Sequence, residues 1–535
     1  MLELSYSSLK KYAYCALGLP FIVFAIGWMK WYWAIPAIAA TIVCVFFGAF
    51  KRCKVTDKSA VNDGEIKRTK IKKWMFFLVI SIALIWVWQS GIGGFWAQSK
   101  DYPWRNAIFR DIVLRDWPVY YDVYDGALVY YIGFWLVPAL FGKLALLMGA
   151  NDVLAFQVAS VAIFIWAAFL IIILFSLLIT LFRANTVKKQ LLIILGFVFF
   201  SGLDILGSIE PLGANFYHLE WWANNYQYSS FTTCMFWVFN QSIIPWITLA
   251  CLLQEKRIRN YVFLGMMCLF SGPLPFIGLF LFCITLGMIK GVEAIKGRQI
   301  KDFIKDIVSP SNLSATMFVF VFIAAYLLSN AAISGGGALR LDQNATIIQS
   351  ESAAGNAVMS GESLENLITY IKFIMFEFGF YVILVGRKYY KNPLFYVMLA
   401  SLLVFPFIKI GGGADFPMRA SIPALFYLYY LVMRFLMDEK HWMKQKGTVN
   451  RLLYIVLIVV FLLGCATPAV EFYRGCRQVV KSGLDNPMED YLYTLGGDGP
   501  NVWRVESGYE YGNFVSVHPG EKVFFKYFAK DLQNK

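Results

Sequence analysis

Apolar runs of about 20 residues recur from one end of the chain to the other, and this limits what it can fold into more than any motif does. A run of that length just crosses a hydrocarbon core of about 30 Å. Lipid offers no partner to backbone N–H and C=O groups, so each run must close its hydrogen bonds internally, as a helix. Of 535 residues, 59% are hydrophobic and 15% charged, against about a quarter charged in an ordinary soluble domain. The pattern is that of an all-α polytopic membrane protein, for which length gives no domain count.

The formal net charge is +14, which in a soluble domain would suggest nucleic acid. Here Lys and Arg gather in short loops between apolar runs, the bias that marks the cytoplasmic side of a membrane. The expected surroundings are therefore membrane lipids, with no nucleic-acid partner. Five of the nine cysteines (Cys44, Cys234, Cys251, Cys268, Cys283) lie in apolar runs, where a thiol acts as a small hydrophobe. There is no CxxC spacing and no disulfide framework. Lys10 and Lys11 precede the first run, and no small-residue cleavage site follows it. The first helix is expected to be retained.

Spans are expected at about 12–28, 31–50, 74–94, 153–181, 190–207, 231–253, 260–272, 275–290, 313–330, 366–386, 393–409, 418–437 and 451–468. The basic loop Lys51–Lys73 carries nine Lys/Arg against Asp57, Asp63 and Glu65, which places it in the cytoplasm. The count is about 13 spans, with the N-terminus inside and the C-terminus outside. Residues 1–468 form the membrane domain, and 469–535 form an extracytoplasmic tail with a turn signal at Gly496–Pro500. Outer loops fall at 95–126, 208–230 and 331–365. The last contains Gly335-Gly336-Gly337 and reads as mobile. The pair 260–290, interrupted by Ser271-Gly272-Pro273, reads as a tight hairpin. The run 127–147, with Pro138 and Lys143, is open: if it crosses, the basic loop Phe182–Gln190 falls outside, and if it lies at the surface or re-enters, that loop falls inside. Charge bias favours the second. There is no internal repeat of the kind alternating-access carriers often show.

Three groups of residues stand out on the outer side. The first follows the third span, in Asp101–Tyr121. Pro103, Ile108 and Ile112 predict a helix, and Asp101 and Arg105 are spaced to pair across one turn. The second holds Asp204, Glu210, His218, Glu220, Trp221 and Trp222. Asp204 lies near the end of an apolar run, where an acid is costly and usually functional or capping. The paired tryptophans suit a membrane interface or a sugar ring. The third is Gly411–Pro423, where Asp415 and Arg419 are again four apart and Arg419 is placed to meet a lipid phosphate. Arg340 is a further phosphate candidate. Asn240, Gln241 and Ser242 sit inside a run beside Pro245; they either bridge helices or line a cavity. Asn344-Ala-Thr346 matches a glycosylation sequon. P-loop, GxSxG and HExxH patterns are missing from the sequence.

An acid leaving a span, a short amphipathic helix at about 103–115, Asp116-Trp117-Pro118 and the aromatic segment Tyr130–Lys143 resemble the GT-C superfamily of polytopic membrane glycosyltransferases over about 74–290. Tyr102 stands where many relatives carry a second acid, and two extra spans precede the loop. The resemblance implies juxtamembrane helices on the outer face and a polyprenyl-phosphate sugar donor. The acceptor would be an envelope glycan or a lipid. Asp101 would be the catalytic base, and Asp204 or Glu220 a second catalytic acid. Arg105, His218, Trp221, Trp222, Arg340, Asp415 and Arg419 would bind substrate. Some relatives use a divalent metal, Mg or Mn, for which Asp101, His218 and Glu220 are the candidates. The alternative is a transporter or flippase of lipid-linked sugars. The expected location is the plasma membrane.

Overall fold

The computed structural model describes residues 1–51, 68–121, 125–208, 218–223, 226–331, 340–341, 361–410, 414–438, 448–483 and 514–532. The expected loop glycines 335–337, the sequon at 344–346, Glu210, Gly411–Gly413 and the turn at 496–500 lie outside them.

Ser5 opens the first helix, its Oγ accepting the Ser8 N–H at 3.2 Å, and the side chains that follow have no charge after Lys11 until the helix ends at Trp28. From there the chain is helical almost throughout, a multi-pass membrane protein. The helices used below are α1 (Tyr6–Trp28), α2 (Trp31–Val45), α3 (Lys73–Gln89), α4 (Tyr102–Leu114), α5 (Gly133–Leu147), α6 (Asp152–Leu181), α7 (Val187–Val198), α8 (Asp204–Gly207), α9 (Phe231–Trp237), α10 (Phe239–Leu252), α11 (Tyr261–Ser271) and α12 (Pro273–Lys296). Among the described residues seven helices are long and apolar enough to cross a membrane: Tyr6–Trp28, Trp31–Phe50, Asp152–Leu181, Pro273–Lys296, Ile300–Leu327, Glu365–Tyr389 and Arg451–Ser482. Shorter apolar helices fill in between them, α3, α5, α10 and α11 included. On α12 Ile277, Phe280, Leu281, Ile284 and Met288 are exposed, as side chains that meet lipid should be.

Two faces can be told apart by their hydrogen bonds. Leu2–Leu4 pairs antiparallel with Thr69–Ile71. The Lys70 N–H donates to Asn185 Oδ1 (3.1 Å), and Gln190 Nε2 donates to the Lys70 carbonyl (2.9 Å). The loop 182–190 therefore lies on the face of the basic 51–73 segment. Helix α5 packs along α6, with Gly142 against Ala155 and Ala159. On the other face a three-stranded antiparallel sheet joins Tyr120–Tyr121, Gly126–Leu128 and Val515–Val517.

Several boundaries differ from the sequence expectation. The run 231–253 is broken at Val238 (φ −136°, ψ 37°) into α9 and α10. The run 190–207 stops at Val198, because the chain then extends and the Leu203 N–H donates to the Phe376 carbonyl at 2.8 Å. Phe376 lies in a π-helical turn, Met375–Gly379, which frees such a carbonyl. Helix Ala466–Ser482 runs through the expected domain boundary at 468. Residues 514–532 are no loose appendage. Phe524 packs on Phe24 and Tyr326, and the Lys530 N–H donates to the Trp28 carbonyl at 2.9 Å. Helix α4, expected as an amphipathic surface helix, is buried over most of its circumference, because α5, α6 and the tail cover it; Trp104 stacks on Phe514. The hairpin at Gly272 is as expected, with Gly265 beside Phe276.

Candidate functional site

Asp101 occupies the N-cap position of α4, with Pro103 in the first turn. Its carboxylate does not cap the helix. It accepts from Arg105 Nη2 at 3.1 Å, and Arg105 Nη1 also donates to the Asp101 carbonyl at 2.9 Å. The pairing expected from the four-residue spacing is thus formed. It is lopsided: the Arg105 side chain is 9% exposed and that of Asp101 40%.

The same construction recurs at the other end of the chain. Asp415 opens a short helix, Asp415–Ala420, and pairs with Arg419 one turn on. Again the acid is half exposed (48%) and the arginine nearly enclosed (10%). Both guanidiniums act electrostatically on Tyr130 and Tyr131, whose adjacent rings lie just before α5. Burial raises the Tyr131 phenol above its ordinary range, and Arg419 and Arg105 pull against that shift. Folding thus gathers two loops, far apart in sequence, around one tyrosine pair. Nε of Arg105 and Nε of Arg419 have no hydrogen-bond partner among the described residues. Buried donors are nearly always paired, so two guanidiniums with a donor to spare, each held in place by its own aspartate, form a ready site for an oxyanion.

Arg340 is brought close to this region through its backbone: Arg340–Leu341 pairs antiparallel with Ile408–Lys409, a few residues before Asp415. Lys143 reaches back to the carbonyl of Arg115, closing the end of α4 onto α5.

The second sequence group forms a separate, buried network. Asp204 (0% exposed) accepts from Thr467 Oγ1 (2.7 Å), Ser201 Oγ (3.1 Å) and Trp222 Nε1 (3.3 Å). Glu220 accepts from the Ser230 N–H (2.9 Å) and Gln227 Nε2 (3.1 Å), so it secures the start of α9. Burial, reinforced by Asp204 and Glu471 and offset by His218, pushes its carboxyl up to about 7. His218 Nδ1 lies 3.1 Å from Glu471 Oε1, and its ring stacks on Trp237. Glu471 also receives Trp237 Nε1 (3.1 Å) and Arg474 Nη2 (2.5 Å). Trp222 is turned to Asp204, whereas Trp221 is half exposed. Two members were not singled out from sequence: Glu471, and Glu377, which is buried beside Gly202, two residues from Asp204. Glu377 was detectable as an acid within the run 366–386; Glu471 gave no such signal. Cys234 on α9 lies within electrostatic reach of both Glu220 and Arg419, so the network adjoins the paired-arginine site.

Among the described residues no three His, Cys, Asp or Glu side chains are grouped to hold a metal ion. Asp101 is engaged with Arg105, and His218 and Glu220 are tied into the buried network. Compared with protein-family models, curated proteins and solved structures, the chain matches none.

Proposed function

We propose that the protein is a glycosyltransferase of the plasma membrane that moves a sugar from a polyprenyl-phosphate donor to an envelope glycan or lipid acceptor on the extracytoplasmic face. The observation that carries this reading is the pair of enclosed arginines with spare donors, each beside a half-exposed aspartate, converging on Tyr130 and Tyr131. The resemblance of 74–290 to GT-C enzymes supports it. In this reading there are about 13 spans, the N-terminus is cytoplasmic, and the site, the 95–132 segment and the C-terminal tail share the outer face.

The reaction needs a base and an anion clamp. The acceptor hydroxyl attacks the anomeric carbon and gives its proton to the Asp101 carboxylate. The bond from that carbon to the phosphate oxygen breaks, and the lipid phosphate leaves with its extra charge. Arg105 and Arg419 meet that charge, an interaction stronger at the transition state than before it. A divalent metal, Mg or Mn, would stabilise the same charge; with no fitting donor set among the described residues, no step is assigned to it. Asp204 and Glu220 support the scaffold beside the site, and Trp221 offers an exposed ring to substrate.

The alternative, a transporter or flippase of lipid-linked sugars, is favoured by one observation: Glu377, inside the candidate span Glu365–Tyr389, is a second buried acid close to Asp204, packed beside Gly202. Acids buried at membrane depth are a feature of proton-coupled carriers.

A turnover assay separates the two. Purified wild type and Asp101→Asn, matched for thermal stability in detergent, are given radiolabelled polyprenyl-phosphate sugars and membrane extract. Transfer by wild type and a drop of about 10²-fold or more in the variant is the expected result. Equal transfer by both removes Asp101 from the chemistry. Donor bound but never consumed sinks the enzyme and favours the transporter.

A further inference from the structure

The head of α10 carries two carboxamides for which the fold has no use. Asn240 and Gln241 are both fully buried (0% exposed), and among the described residues none of their four amide atoms finds a hydrogen-bond partner. Native interiors rarely leave such groups empty, because an unpaired buried amide is costly. The backbone is polar here as well. The break at Val238 makes this a true helix N-terminus with no side-chain cap, and Pro245 supplies no N–H to the Gln241 carbonyl.

The surroundings connect these amides to the paired-arginine site. Phe239, the preceding residue, has its ring 5.7 Å from Tyr102, one turn from Arg105 on α4. The same ring is 5.2 Å from Phe134, shortly after Tyr130 and Tyr131. Gln241 borders Gly272 at the hairpin, which presents no side chain to it. From Gly272 helix α12 leads to Gly278, packed on the backbone of Ala420 next to Arg419.

We infer that Asn240 and Gln241 form a subsite for the hydroxyls of a sugar; this deepens the glycosyltransferase reading and rests on it. The chemistry selects among ligands. A metal cation is disfavoured by the positive end of the helix dipole and by two arginines on neighbouring elements. A bare anion would pair the amide N–H groups but leave both amide oxygens empty. A sugar hydroxyl donates and accepts at once, as a carboxamide does, and two neighbouring amides match two neighbouring hydroxyls. The arginines then hold the phosphate of the donor, and the amides hold its sugar.

The full chain is purified in a detergent without a sugar headgroup, as wild type and as Asn240→Leu/Gln241→Met, with Gln241→Met alone beside it. Binding is measured for polyprenyl-phosphate mannose and glucose and for bare polyprenyl phosphate. Wild type is expected to bind one of the sugar-bearing lipids more tightly than the bare one. The double variant is expected to lose that preference, roughly tenfold or more, with bare-lipid binding unchanged. Its melting temperature without ligand should be equal or higher, since unpaired amides are replaced by apolar groups of similar shape. A lower melting temperature, or failure of either variant to fold, overturns the inference by showing that the amides bridge helices. So does a preference that survives in the double variant, or equal weakening for all lipids. In those cases the arginine site stands if wild type binds bare polyprenyl phosphate. If wild type binds none of the lipids, the donor reading falls and the subsite falls with it.

Discussion

Arg419 sits in the site in a way that its spacing alone does not convey. The i,i+4 pair with Asp415 is legible in sequence, as is the pair of Asp101 with Arg105. That both arginines are enclosed, each with an Nε unpaired among the described residues, and act electrostatically on the same two tyrosines is not, because it depends on which loops meet. Arg419→Gln should weaken binding of polyprenyl phosphate roughly 10- to 100-fold, the worth of one or two charge-assisted hydrogen bonds. Its melting temperature should hardly change, since Asp415 is half exposed and remains hydrated; a direct lipid-binding titration with a parallel melt checks both. Glu220 answers to pH instead. Its carboxyl rises from 4.5 to about 7 in the fold, mainly through burial. The native state therefore holds a proton that the unfolded chain releases above about 4.5. This contribution to stability is complete below pH 4.5, is lost as pH climbs toward 7, and is flat beyond. It amounts to roughly 3 kcal/mol at most. Glu220→Gln should remove that slope and leave the variant the more stable of the two at pH 8, as read from melts between pH 4 and 8. Sequence proximity of His218 and Glu220 does not say who else arrives; Glu471 reaches His218, and Gln227 and Ser230 reach Glu220.

Helices in this protein were readable where they are uniformly apolar, as in α1, α6 and α12, and less so where they are interrupted. The break at Val238 and the early end of α7 at Val198 carry no strong local signal. Each coincides with a contact from a distant element: the Phe376 carbonyl, which takes the Leu203 N–H, in one case, and in the other the packing of the Phe239 ring on Tyr102 and Phe134. Small residues show where elements approach most closely. A Cβ on Gly278 would collide with the Ala420 carbonyl, which is backbone and cannot rotate away. Gly278→Ala should therefore push α12 off the Asp415–Ala420 helix. We expect a loss of about 1–3 kcal/mol together with weaker lipid-phosphate binding. Gly287→Ala, with nothing within 4 Å of the added carbon, is the control, and should leave both the melt and the titration at wild-type values.

At the scale of the molecule the tail proves to be part of the body. The strand Val515–Val517 pairs with Gly126–Leu128, Lys30 N–H donates to the Phe528 carbonyl, and Phe524 fills a gap between Phe24 and Tyr326. Removing residues 514–535 should expose Trp28 and Phe24 and leave Trp104 without Phe514. The truncated chain is expected to aggregate on extraction, read as loss of the monodisperse peak in size-exclusion chromatography; a stable, monodisperse truncation would show the tail to be dispensable. Apolar run length, a property of short stretches, was sufficient for the sequence alone to determine a helical membrane protein with several long apolar helices. Hydrogen-bonding needs in lipid act within each run, so no tertiary information was required. What only the tertiary structure decided was the place of loop 182–190 beside Lys70, the burial of α4 beneath the tail, the two broken runs and the action of both Arg105 and Arg419 on Tyr130 and Tyr131. Each depends on contacts between residues distant in the chain, and no local pattern encodes which distant surface will fill a given gap.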